Sequence, residues 1–286
     1  MTLIIGAGVP LLIILMMTVV GLELTPADLK RIAHYPAQVA VCLLGQVLVL
    51  PPIAAVLIVS LRLEPAIAGG LILAATAPQS TISNYFCLLG RANVPLSVTV
   101  TAVSSVLAVV STPIVSTIAF DLLLVRQSGL DLPAGKVMQQ VVTGLVLPVA
   151  AGMMIRRLLP EFVGRNRVRL QRLSMLALAA MLLVILADQA ANIQRNLAAI
   201  VLAAALFTAS AAALGFGIAK ALSWTTADTL TVLAGFPSRS LAVATLIAVN
   251  VFGRLDFLAF AATFFMVQAA LLVPAMLAAR SRIGAG

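Results

Sequence analysis

Nine apolar stretches, most of them near or above the roughly 20 residues a helix needs to cross a bilayer, follow one another through this chain with short polar connections. In lipid, backbone N–H and C=O groups have no water to turn to, so such stretches are forced into internally bonded helices. The spans read 3–22, 35–60, 66–90, 93–124, 134–155, 170–188, 194–221, 226–250 and 254–279. Of the 286 residues, 62% are hydrophobic and 9% charged, too little polar surface to cover a water-soluble globule. The expected fold class is therefore an all-α membrane protein of about nine transmembrane helices embedded in the lipid bilayer.

A formal net charge of +9 would point to nucleic acid in a soluble protein, but these cations are neither interleaved with aromatics nor gathered on an amphipathic face. They report topology instead, and no nucleic-acid partner is expected. With the N-terminus outside, the inner connections and C-terminal end hold twelve cations (Lys30, Arg31, Arg91, Arg156, Arg157, Arg165, Arg167, Arg169, Arg172, Lys220, Arg280 and Arg282) and the outer connections five (Arg62, Arg126, Lys136, Arg195 and Arg254). This bias predicts N-out and C-in. The basic stretch 156–172 reads as a solvated inner loop against anionic lipid. The start of the chain lacks a basic n-region and reads as a retained span, not a signal peptide. Thr25-Pro26-Ala27-Asp28 predicts the start of a short interfacial helix. Cys42 and Cys87 fall inside spans and imply no disulfide; a lone thiol such as Cys87 reads as a small core residue, not a soft-metal ligand. His34 reads as a surface residue.

Two spans are interrupted midway by polar, proline-bearing runs: Ala77-Pro78-Gln79-Ser80-Thr81-Ile82-Ser83-Asn84 and Gly235-Phe236-Pro237-Ser238-Arg239-Ser240. Proline withholds a backbone donor, so each span becomes two half-helices whose free ends point into the protein. Breaks at corresponding places in two halves mark the transport site of secondary carriers. Aligning Pro78 with Pro237, on spans running in opposite directions, predicts inverted repeats whose broken helices cross at the midplane. Arg239 lies about eleven residues from either end of its span, roughly 17 Å at 1.5 Å per residue, beyond snorkelling range. An isolated central arginine costs on the order of 2.5–3.5 kcal/mol on insertion scales, so it must face the protein and find partners. No acidic residue lies at its depth by this reading. Pro113, Pro148 and Pro274 read as kinks.

Gly21-Leu22-Glu23-Leu24-Thr25-Pro26-Ala27-Asp28, Gln46 with Pro51, the first break, and Gly90-Arg91-Ala92-Asn93-Val94-Pro95-Leu96-Ser97-Val98-Thr99-Val100-Thr101 together resemble the bile acid:sodium symporter family. So does the order of spans. The resemblance implies a core domain with two crossing broken helices (35–125 and 194–282), a panel domain (1–34 and 126–193), and a substrate held between them. It also implies a cation set at Ser83, Asn84, Ser97 and Thr101, with Gln46 belonging to a second cation place. Sodium is the only ligand implied besides substrate, with no cofactor and no protein partner. The family's second broken helix carries Glu-Val-Gly-Met-Gln-Asn-Ser-Gly, where this chain has Leu233-Ala234-Gly235-Phe236-Pro237-Ser238-Arg239-Ser240. The shared carboxylate is a leucine here, which puts sodium coupling in question.

The function expected is alternating-access transport of a bile-acid-like or small carboxylate anion, sodium coupling being weakened or lost. Arg239 either stands in for a cation, on Ser83, Asn84, Gln46 or free carbonyls, or binds the anion bidentately. Ser80, Thr81, Ser238 and Ser240 flank the breaks as substrate hydrogen-bonders, with bonding to their own backbone as the alternative. Two other readings stand: a sodium symporter using the cation set, and a non-transporting sensor or channel. No midmembrane Asp, Glu or His accompanies the serines, so catalysis is not expected. The small size of the resembling bacterial members, which lack soluble domains, points to the cell inner membrane.

Overall fold

A computed structural model describes residues 9–23, 31–125, 139 and 142–283. Within them all regular structure is helical apart from one isolated β-bridge. The helices are α1 (Val9–Glu23), α2 (Pro36–Leu61), α3 (Pro65–Thr76), α4 (Ile82–Leu89), α5 (Val94–Phe120), α6 (Leu147–Leu158), α7 (Pro160–Asp188), α8 (Ala190–Ala221), α9 (Thr226–Gly235), α10 (Leu241–Leu246) and α11 (Phe257–Ile283). Among the described residues, α2, the Val168–Asp188 part of α7, α8 and the Phe257–Ser281 part of α11 are long and apolar enough to cross a membrane. A fifth candidate is the bent pair Val94–Ala108 and Val110–Leu123, which meet at 57°. The chain is a multi-pass membrane protein. Its outer surface suits lipid: Leu48, Val56, Leu88, Leu176 and Leu183 are 62–68% exposed.

Prolines set much of this framework. Pro36, Pro65, Pro95 and Pro160 each fall in the first two residues of a helix, where a missing N–H costs nothing. Pro51 and Pro52 remove two donors inside α2, and the turn before them widens into a π-helical one, Gly45–Val49, with Leu50 N–H reaching the Gly45 carbonyl. Pro148, expected as a kink, likewise follows a widened π-helical turn, Val142–Val146, that runs without a break into α6. Pro113 leaves the carbonyl four residues back without a donor, which accounts for the bend in α5. The basic stretch 156–172, expected as a loop, is helical almost throughout: Arg156 and Arg157 lie in the last turn of α6, and 160–172 form the opening turns of α7. Pro160 is preset for a first turn, Glu161 complements the helix dipole there, and arginine is a good helix former. The expected interfacial helix at 25–28, the first residues of the first span and the chain around 126–138 lie outside the described residues.

Close approach depends on glycine at a few places. Gly21 of α1 sits on the Val149 carbonyl and Gly152 of α6 on the Thr18 carbonyl, so these two backbones touch. At the centre of the bundle α3 is buried from Ile67 to Thr76, with Gly69 and Gly70 seated against Phe257 and Phe260 of α11. A Cβ on Gly45 would lie 2.7 Å from the Phe236 ring, and one on Gly215 3.3 Å from it. That ring is wedged between α2 and α8, which fixes the second break against the bundle.

Candidate functional site: the meeting of two helix breaks

Helices α3 and α9 each end two residues before a proline, Pro78 and Pro237. Ala77 takes the extended conformation that a following proline favours, and α3 stops. The two breaks then pair with each other. Ser80 N–H donates to the Ser238 carbonyl (2.8 Å) and Ser240 N–H to the Pro78 carbonyl (3.0 Å), with Gln79 opposite Arg239 in an antiparallel bridge.

A helix that ends in the core leaves its last carbonyls without partners, and here every one of them is met. Leu73 C=O accepts from Ala77 N–H (3.0 Å) and Thr76 C=O from the Thr112 hydroxyl of α5 (2.9 Å). The Arg239 guanidinium serves the rest: Nε donates to Ala74 C=O (3.3 Å), and Nη2 to Ala75 C=O (3.3 Å) and to Ala77 C=O. Arg239 is 3% exposed, so its charge rests on the negative end of the α3 dipole. Its Nη1 has no hydrogen-bond partner.

Beside the guanidinium lies a connected set of neutral polar side chains. Gln79 Nε2 donates to Ser83 Oγ (2.9 Å) and Thr101 Oγ1 (3.2 Å), while Gln79 Oε1 accepts from Gln46 Nε2 (2.9 Å). Ser83 Oγ lies 3.2 Å from Ser97 Oγ, whose hydroxyl donates to Asn84 Oδ1 (2.7 Å). Thus Gln46, Ser83, Asn84, Ser97 and Thr101 come together from α2, α4 and α5. Among the described residues no carboxylate is hydrogen-bonded into this set. Leu233, at the place of the resembling proteins' glutamate, packs against an apolar cluster of Phe86, Cys87, Ala234, Leu272 and Met276.

Arg239 and Gln46 also line a narrow cavity of ≈ 20 Å³ with Thr76, Ser104 and Ser111. That is room for one water-sized group. Gln46 Oε1, like Arg239 Nη1, is buried without a partner. The serines beside the breaks are turned to their own backbone: Ser238 Oγ donates to Ala234 C=O (2.6 Å), Ser80 Oγ accepts from Ile82 N–H (3.4 Å), and Ser240 Oγ accepts from Val243 N–H (3.4 Å) as the cap of α10. Thr81 is exposed.

Sequence pattern alone does not single out Gln79, Ser104 or the tie of Asn93 with Asp228 and Thr231. Gln79 was visible only as one polar residue in a break. Ser104 accepts the Gln79 N–H (3.2 Å) from α5. Asn93 Nδ2 donates to Asp228 Oδ1 (2.7 Å) and Asn93 N–H to Thr231 Oγ1 (2.9 Å), tying the starts of α5 and α9 together. The signal available for this tie was a helix cap at Asn93, whose Oδ1 accepts from Leu96 N–H.

A multi-pass helical bundle whose polar residues gather where two helices break side by side belongs to the architectural class of secondary carriers. Residues 10–196 match the family described as the Sodium Bile acid symporter family, and the chain belongs to it. The match ends before the second break. Similar proteins include an "Uncharacterized sodium-dependent transporter YocS" of Bacillus subtilis, 27% identical over 62% of this chain and 53% of that protein. A "Probable sodium/metabolite cotransporter BASS2, chloroplastic" of Oryza sativa is 29% identical over 79% of this chain and 53% of its own length. The human "P3 protein" is 32% identical over 47% of this chain and 28% of its own. The chain spans about half the length of the first two of these relatives. The family is one of transporters and not of enzymes.

Proposed function

We propose that this protein is an alternating-access carrier of organic anions, bile-acid-like or small carboxylates, in which Arg239 is a tethered cation and sodium coupling is weakened or lost. The observation that carries this reading is the guanidinium lying across the carbonyls of Ala74, Ala75 and Ala77 at the open end of α3. The exposed carbonyls of a broken helix attract a mobile cation in carriers of this class. A charge fixed covalently in that position needs no ion from solution. In this reading nine spans form inverted repeats, with the core at 35–125 and 194–282 rocking against the panel at 1–34 and 126–193. The protein sits in the cell inner membrane, N-terminus outside and C-terminus in the cytoplasm.

One observation favours the second role for the arginine: Nη1 is unpartnered and Arg239 borders the cavity, so one donor is left for an anion that enters when panel and core separate. Exchange of labelled organic acids by reconstituted protein tests both. Saturable exchange at equal rates in sodium and potassium is expected. Arg239→Ala abolishes it under either role. Arg239→Lys, a point charge without the fork, retains exchange if the arginine is only a fixed cation and weakens apparent affinity if it grips the anion. Uptake rising steeply with sodium would instead favour a symporter through Ser83, Asn84, Ser97 and Thr101. Acid binding without flux would favour a sensor.

A further inference from the structure

The centre of the polar set is a side chain, and its chemistry is opposite to that of a cation's ligand. Hard cations are held by converging oxygen lone pairs. Ser83 Oγ and Thr101 Oγ1 converge here, but on the amide nitrogen of Gln79, whose two N–H groups take a lone pair from each (2.9 and 3.2 Å). The other end of the amide is anchored by Gln46 Nε2 (2.9 Å), and the Gln79 backbone by Ser104 Oγ (3.2 Å). Gln79 is 3% exposed, so these bonds are made away from water. The space exists because residue 235 is glycine: a Cβ there would lie 2.9 Å from Gln79 Oε1 and 3.1 Å from Nε2. Gly235 belongs to α9, so the amide is held between both broken spans and α5.

We infer that the Gln79 carboxamide occupies the cation place of this oxygen cluster, a built-in neutral donor that bridges the two breaks and leaves no seat for sodium. This rests on the carrier reading for its functional meaning but goes beyond it, because Gln79 and not only Arg239 then closes the protein to the ion. The consequence is specific: removing the amide turns the cluster back into an oxygen-lined cavity, and changing it to a carboxylate adds the negative charge that the cluster lacks.

The test is thermal unfolding of the purified full chain in sodium against potassium at equal ionic strength, for wild type, Gln79→Ala, Gln79→Glu and the double variant Gln79→Glu with Ser83→Ala. A ligand bound only by the folded form raises the midpoint by mass action. Wild type is expected to show no sodium-specific shift. Gln79→Glu, which keeps the side-chain volume, gains a rise of about 2–4 °C, the scale of a modest ion affinity for a chain this size. Gln79→Ala gains a smaller one, and Ser83→Ala removes the gain. A sodium-specific rise in the wild type overturns the inference. So does a folded Gln79→Glu indifferent to sodium, and its failure to fold leaves Gln79→Ala and the wild type to decide by the same criterion. Because no transport is measured, failure of the carrier reading shows separately, as absent exchange in an otherwise sodium-indifferent protein.

Discussion

Arg239 is legible in the sequence as a charge too deep to reach water, but what it touches is not. Its partners are three main-chain carbonyls, and every residue has a carbonyl, so no pattern of side chains marks them. Truncation leaves those groups buried and unpaired, each a loss of order 1–3 kcal/mol, offset in part because the cost of burying the charge goes with it. Arg239→Ala should therefore lower stability by about 2–4 kcal/mol in thermal or denaturant unfolding, with Arg239→Lys intermediate because an ammonium cannot span all three. Thr112→Val isolates the same helix end from the other side: Thr76 C=O loses its partner, for a cost of about 1–3 kcal/mol. At the turn after α2, Arg62 holds φ 49, a left-handed conformation that glycine adopts without strain. Arg62→Gly should stabilise by about 0.5–1 kcal/mol.

Among the elements, the breaks at 77–81 and 236–240 and the spans around them follow from apolar runs, prolines and polar insertions. The extension of α7 back to Pro160 does not, because five arginines between 156 and 169 resemble a loop by charge while favouring a helix by propensity. The contact of α1 with α6 was equally hidden. Two glycines separated by more than a hundred residues have no local signature, yet they let the backbones touch at Val149 and Thr18. Gly21→Leu or Gly152→Leu should drive the pair apart and sharply lower the yield of folded protein in size-exclusion profiles. Gly217→Ala, with nothing within 4 Å of its added methyl, should be neutral or gain about 0.5–1 kcal/mol. A matching loss at Gly217 would show that close backbone packing is not what distinguishes Gly21 and Gly152.

At the scale of the molecule, the Lys and Arg count predicts an N-out, C-in orientation, and the exposed turns after α2 and α8 are where it can be tested. Arg62→Cys should react with a membrane-impermeant maleimide in intact cells, and Ser223→Cys only after permeabilisation; the reverse pattern would invert the topology. The native thiols are silent in this experiment, since Cys42 and Cys87 are buried.

Composition and apolar spacing were enough to determine an all-helical membrane protein with two broken spans, because a bilayer permits almost no other fold for such runs. The motifs around Gln46, Ser83, Asn84, Ser97 and Thr101 likewise disclosed the family and the residues that meet. Only the tertiary structure decided what fills their centre. Whether Gln79 faces lipid, cavity or the hydroxyls of Ser83 and Thr101 depends on Gly235, from a helix more than 150 residues away, leaving room for its amide. Such complementarity is a property of three-dimensional packing, and no local sequence pattern encodes it.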